Sequence, residues 1–110
     1  RSVSAFLLNR SSDLAMGIKW LTKAIAAKPD NAAVSCYLGV CLCVKAQDMD
    51  DKNPEKKKLF GEAVKAFDKA KEIDPKKELV NWGYNRYNAY YNYYGPEAPE
   101  TKQAENDYKN

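Results

Sequence analysis

Two stretches of this chain carry the same small–large–small–proline phrase in the same phase, and nothing else in the sequence constrains the fold as much. Gly17, Leu21, Ala24 and Pro29 stand at steps of 4, 3 and 5, and Ala63, Phe67, Ala70 and Pro75 repeat those steps. Ala104 and Tyr108 open a further copy, again 4 apart. Steps of three and four put residues on one face of a helix. The small residues let a neighbouring helix approach, the large one fills the gap, and proline ends the helix at a fixed point. The expectation is an all-α chain built from helices of repeated design. No segment sustains the period-two alternation of a half-buried strand, so no sheet is expected.

The boundaries follow from capping and breaking residues. Ser2–Asn9 is a short apolar segment with Phe6, Leu7 and Leu8, followed by a polar break rich in N-cap residues. A helix is predicted from about Asp13 to Lys28, with a stripe of Leu14, Ile18, Leu21 and Ile25, stopped at Pro29. Asp30-Asn31 opens the next, which runs to about Gln47 and carries Val34, Tyr37, Leu38, Cys41 and Leu42. The polar stretch 48–53 reads as a loop. Asn53 caps a further helix with Pro54 in its first turn, and that helix ends before Pro75. Another is expected from about Lys77 to Tyr94. After the break at Gly95-Pro96 and Pro99, the tail from Glu100 to Asn110 offers a sixth, weakly amphipathic helix.

These residues resemble the tetratricopeptide repeat. That family's second helix carries the small–large–Ala–Pro pattern and ends in a phrase like Glu72-Ile73-Asp74-Pro75. Its first helix carries a Leu-Gly pair with a large residue three positions on, as in Leu38, Gly39 and Leu42, nine residues after Pro29. The resemblance implies antiparallel helix pairs stacked as a short right-handed solenoid of about six helices. It divides the single 1–110 domain into a partial repeat 1–31, a full repeat 32–77 and a partial repeat 78–110. The prolines lie 46 residues apart against a family period of about 34, so the central repeat holds an insert at 46–57. Asp48, Asp50 and Asn53 in that insert invite comparison with a calcium loop, but the sixth-position glycine and closing glutamate of an EF-hand are missing.

The run from Asn81 to Tyr94 is the most unusual part of the chain. At 100° per residue, Asn81, Asn85, Asn88 and Asn92 form one stripe. Val80, Tyr84, Tyr87, Tyr91 and Tyr94 form a second, and Leu79, Trp82, Arg86, Tyr90 and Tyr93 a third. Two aromatic faces beside a polar one suit a helix contacted on two sides. The repeat family binds extended peptides on the concave face made by the first helices of its repeats. Carried onto this chain, the resemblance places Ala33, Cys36, Val40 and Cys43 on that face. The strict offset from Pro75 would bury Asn81, Asn85 and Asn88, which is costly without partners. A slipped or rotated helix is therefore expected, with Trp82, Asn85, Arg86 and Ala89 near the groove. Some family members clamp a terminal carboxylate with Lys, Arg and Asn, but these groove positions are mostly small and apolar, so that activity is not expected.

The remaining composition narrows the function. There is no histidine, which removes the commonest general base and most catalytic zinc sites. No nucleophile–base pair or phosphate-binding glycine loop stands out, so no catalytic residue, no cofactor and no metal site is expected. Cys36, Cys41 and Cys43 are an odd set on one helix and read as small buried hydrophobes. The net charge of +3 carries no concentrated basic face, because Asp48, Asp50 and Asp51 offset Lys56-Lys57-Lys58, so nucleic acid is not an expected partner. No apolar run approaches the ~20 residues that span a bilayer. The chain begins at Arg1 and reads as a piece or mature form of a longer protein, soluble and either cytoplasmic or exported. The expected function is a non-catalytic module that binds a peptide or partner helix through Cys36, Val40, Cys43, Trp82, Asn85, Arg86 and Ala89. The alternative is a structural or self-associating segment of a longer helical-repeat protein, since solenoid ends cut within a repeat leave apolar faces open.

Overall fold

The computed structural model describes residues 11–110, which form five α-helices and no strand. They are α1 (Ser11–Ala27), α2 (Ala32–Gln47), α3 (Pro54–Ile73), α4 (Gly83–Tyr94) and α5 (Pro99–Lys109). The apolar segment Ser2–Asn9 lies outside the described residues. Each helix packs on its neighbours in the chain, and α2 also meets α4.

The capping chemistry anticipated from sequence sets two helix starts. The Asn31 side chain accepts from the Val34 N–H at 3.1 Å, and the Asn53 side chain accepts from Glu55 at 3.0 Å with Pro54 in the first turn. Each satisfies a backbone donor that the helix itself leaves open.

The repeated phrase supplies the centre of the core. Ala63, Phe67 and Ala70 on α3 are fully enclosed. Gly39 of α2 lies against the Phe67 ring so closely that a Cβ there would stand 2.6 Å from a ring carbon. Glycine is required by that approach. Leu14 and Leu21 of α1 pack on Cys41 from the other side of α2.

Contacts between α3 and α4 run in opposite senses along the two helices. Tyr93 lies over Gly61 and beneath Lys57, whereas Arg86 reaches Asp68. The next pair repeats this. Tyr84 and Tyr87 meet Tyr108, while Thr101 Oγ1 donates to the Tyr90 carbonyl at 3.2 Å. Both pairs are therefore antiparallel.

One predicted boundary needs correction. Helix α4 starts at Gly83, not near Lys77. The intervening chain folds around Asp74, whose carboxylate accepts the backbone N–H groups of Glu78, Leu79 and Val80 at 2.9, 2.8 and 3.0 Å. The Asp74 carbonyl accepts the Trp82 indole N–H at 2.7 Å. Lys77 adopts a left-handed φ of 58° to make this turn. Three N–H groups held by one carboxylate outcompete a helical turn, since the helix would leave its first four donors open.

Candidate binding cleft between α2 and α4

Positions 33, 36, 37 and 40 recur at steps of 3, 1 and 3, so they share one face of α2. With Val80, Asn81 and Asn85 they line a cleft of about 230 Å³ between α2 and the start of α4. The α2 wall is Ala33, Cys36, Tyr37 and Val40, largely small and apolar. The opposite wall carries Val80 and two carboxamides.

The turn around Asp74 is what brings Val80 and Asn81 to the rim. Asn81 Oδ1 accepts from the Gly83 N–H at 3.2 Å and fixes the entry into α4. The Asp74 carboxyl resists ionisation through burial, but its three backbone donors outweigh this and hold it below its ordinary value. It therefore stays ionised and keeps the turn closed at neutral pH.

Of the residues expected at a groove, the structure brings Cys36, Val40 and Asn85 together, with Ala33 beside them. The other four, Cys43, Trp82, Arg86 and Ala89, do not line this cleft. Cys43 lies in the main core with Leu59 and Phe60. Trp82 is only 2% exposed, with Lys77 Nζ 5.0 Å and Arg86 Cζ 5.7 Å from its ring. Ala89 is fully enclosed.

Arg86 is also buried, and the reason is electrostatic. Its Nε donates to Asp68 at 3.0 Å and one terminal nitrogen donates to Asp107 at 3.0 Å. The other approaches the Tyr90 hydroxyl at 3.3 Å, and that hydroxyl donates to Asp68 at 2.6 Å. Lys71 and Gln103 also donate to Asp107, each at 3.2 Å. Burial works against the Arg86 charge, but the Asp68 hydrogen bond and the surrounding negative charge raise its pKa. Burial and the Asp68 contact push the Tyr90 phenol upward, so it remains a donor. Asp107 feels burial in the raising direction, and Lys71, Gln103 and Arg86 together draw it below its ordinary value. This network ties α3, α4 and α5 together behind the cleft. It fixes the pitch of α4 and leaves Asn85 on the cleft side.

Tyr37, Val80 and Asn81 belong to the cleft and were not assigned to a groove from sequence. Tyr37 could have been found, because it neighbours Cys36 and follows Ala33 by one turn. Val80 and Asn81 could not, because their position depends on the Asp74 turn.

The thiols are chemically quiet. Burial pushes Cys36 up to about 11 and Cys43 up to about 12, and raises Cys41 as well. All three are unpaired cysteines. Among the described residues no cluster of three or more His, Cys, Asp and Glu could hold a metal ion, and no helix is long and apolar enough to cross a membrane. Compared with known protein families, curated proteins and solved structures, the chain matches none of them.

Proposed function

We infer that the chain is a non-catalytic interaction module of tetratricopeptide type. It receives an extended peptide or partner helix in the cleft between α2 and α4. The observation that carries this reading is the cleft itself. It has a largely apolar α2 wall facing two carboxamides. An apolar side chain of the partner would sit against Ala33, Cys36 and Val40. The Asn81 and Asn85 amides would meet its backbone polar groups, which must otherwise lose water unpaired. The antiparallel pairs, the Gly39–Phe67 approach and the phased prolines support the repeat reading.

The test is selection of displayed random peptides on the immobilised chain. The expected result is peptides with an apolar anchor whose binding is lost in Val40→Glu and reduced in Asn85→Ala, while both variants keep the wild-type helical spectrum. Peptides that bind Val40→Glu as well as wild type would sink this cleft as the site.

A second reading, self-association, is favoured by the apolar groups exposed on the first and the last two of the described helices. Met16 and Trp20 lie on α1, and Tyr84, Tyr91 and Tyr108 on α4 and α5. Sedimentation velocity distinguishes the two readings. A single monomeric species up to high concentration would count against self-association.

A further inference from the structure

Seven of the eight tyrosines fall between Tyr84 and Tyr108. Four of them, Tyr91, Tyr87, Tyr84 and Tyr108, form one chain of touching rings, with successive centroids 6.1, 6.5 and 5.3 Å apart. The shortest step, Tyr84 to Tyr108, crosses from the start of α4 to the end of α5. Both of its members reach water, with Tyr84 55% and Tyr108 40% exposed. The backbones beneath them are also close. A Cβ at Gly83 would stand 3.1 Å from Tyr108 Cα, and Lys77 Nζ donates to the carbonyls of Asp107 and Tyr108.

This arrangement suits radical coupling. A phenol that gives up one electron releases its proton to water and becomes a phenoxyl radical, with unpaired spin on the ring carbons beside the C–O carbon. Two such radicals held in contact join through those carbons. The two ring hydrogens at the new bond then move to the oxygens, so the product is a diphenol short of two hydrogen atoms. A haem peroxidase supplies the oxidant, because one hydrogen peroxide takes up the two electrons and two protons and leaves as two waters. Held contact favours coupling within one chain over an encounter between chains.

The other oxidisable groups are enclosed or lie elsewhere. The cysteines are buried as thiols and offer no exposed thiolate. Trp82 and Tyr90 are buried, and the exposed Trp20 lies on α1. Tyr93 and Tyr94 touch at 4.8 Å, but they are neighbours on one helix and a bond between them would link no two elements.

We propose that Tyr84 and Tyr108 are a modification site, at which a peroxidase with hydrogen peroxide joins them as a dityrosine that staples α5 to α4.

The experiment treats the dilute chain with a haem peroxidase and hydrogen peroxide, then digests it with trypsin. Cleavage after Lys and Arg leaves Tyr84 as the single tyrosine of Glu78–Arg86 and Tyr108 as the single tyrosine of Gln103–Lys109. The expected product is these two peptides joined, with a mass two hydrogens below their sum and dityrosine fluorescence. Tyr84→Phe and Tyr108→Phe, which keep the ring packing, should each lose it, and Tyr87→Phe should retain it. The cross-link closes a loop across α4 and α5, so the oxidised monomer should melt roughly 5–10 °C higher. A product that joins Gln103–Lys109 to Tyr87–Lys102 instead would overturn the pairing. So would a cross-link that survives in Tyr84→Phe, cross-linked dimers as the main product, or an oxidised monomer that melts no higher than the untreated chain.

Discussion

Arg86 shows how one side chain can be read two ways. From sequence it sits in an aromatic stripe and looks available to a ligand. In the structure it is buried against two carboxylates from other helices. Truncating it would take the guanidinium from both acids, leaving Asp68 with the Tyr90 hydroxyl and Asp107 with Lys71 and Gln103, and would empty the space beside Trp82. Arg86→Ala is expected to lower unfolding free energy by about 2–3 kcal/mol. This is below the ~3–5 of a fully buried pair because Asp68 stays half in water. Urea denaturation checks this, and a change under 0.5 kcal/mol would refute the structural role. Trp82→Ala should likewise destabilise the domain, so neither substitution reports on binding alone. Asp107 adds a pH signature. Its pKa is depressed from 3.8 in the folded state, so its contribution is complete above that value and is lost as pH falls through the lower folded one. Asp107→Asn should be less stable than wild type at pH 7, and the two urea midpoints should converge below about pH 4. A gap that does not narrow as pH falls below 3.8 would contradict this.

Helix order was largely legible because its signals are local. Asn31, Asn53, Pro54 and Pro75 act within one turn of their positions, and each predicted boundary near them holds within a residue or two. The start of α4 was not legible. Asp74 looks like the last polar residue before a proline, and its role emerges only when the next six residues wrap around it. The facing pairs Arg86–Asp68 and Arg86–Asp107 were hidden for a similar reason. Their partners lie 18 and 21 residues away, beyond any helical period. Of the candidate site, the α2 wall was readable as a helix face, whereas the opposite wall depended on that turn. At this scale Gly39→Ala is expected to cost about 1–3 kcal/mol through its clash with Phe67. Phe67→Leu in the same chain should recover part of that loss. Chemical denaturation of the single and double variants measures the coupling, and strict additivity would show that the close approach is not what demands glycine.

Across the whole molecule, packing is sequential and the radius of gyration is 13.3 Å, near the ~13 Å of a compact domain of about this length. Among the described residues, five short helices are too few to build a long superhelix. The last helix is nonetheless essential to the core, because Thr101 and Ala104 are enclosed and Asp107 completes the Arg86 network. Truncation after Tyr94 is therefore expected to destabilise α4 and open the cleft. Amide exchange should show this as lost protection at Arg86 to Tyr90. Unchanged protection there would argue that α4 stands on α3 alone.

The two tryptophans have opposite surroundings. Trp20 is 67% exposed on α1, whereas Trp82 lies enclosed beneath two cations. The chain thus carries two built-in optical reporters on different parts of its surface and interior. Iodide should quench Trp20 emission and leave that of Trp82 nearly intact. Residual emission during a titration would then follow the Asp74 turn, while the quenched fraction would follow events on α1, with no label added.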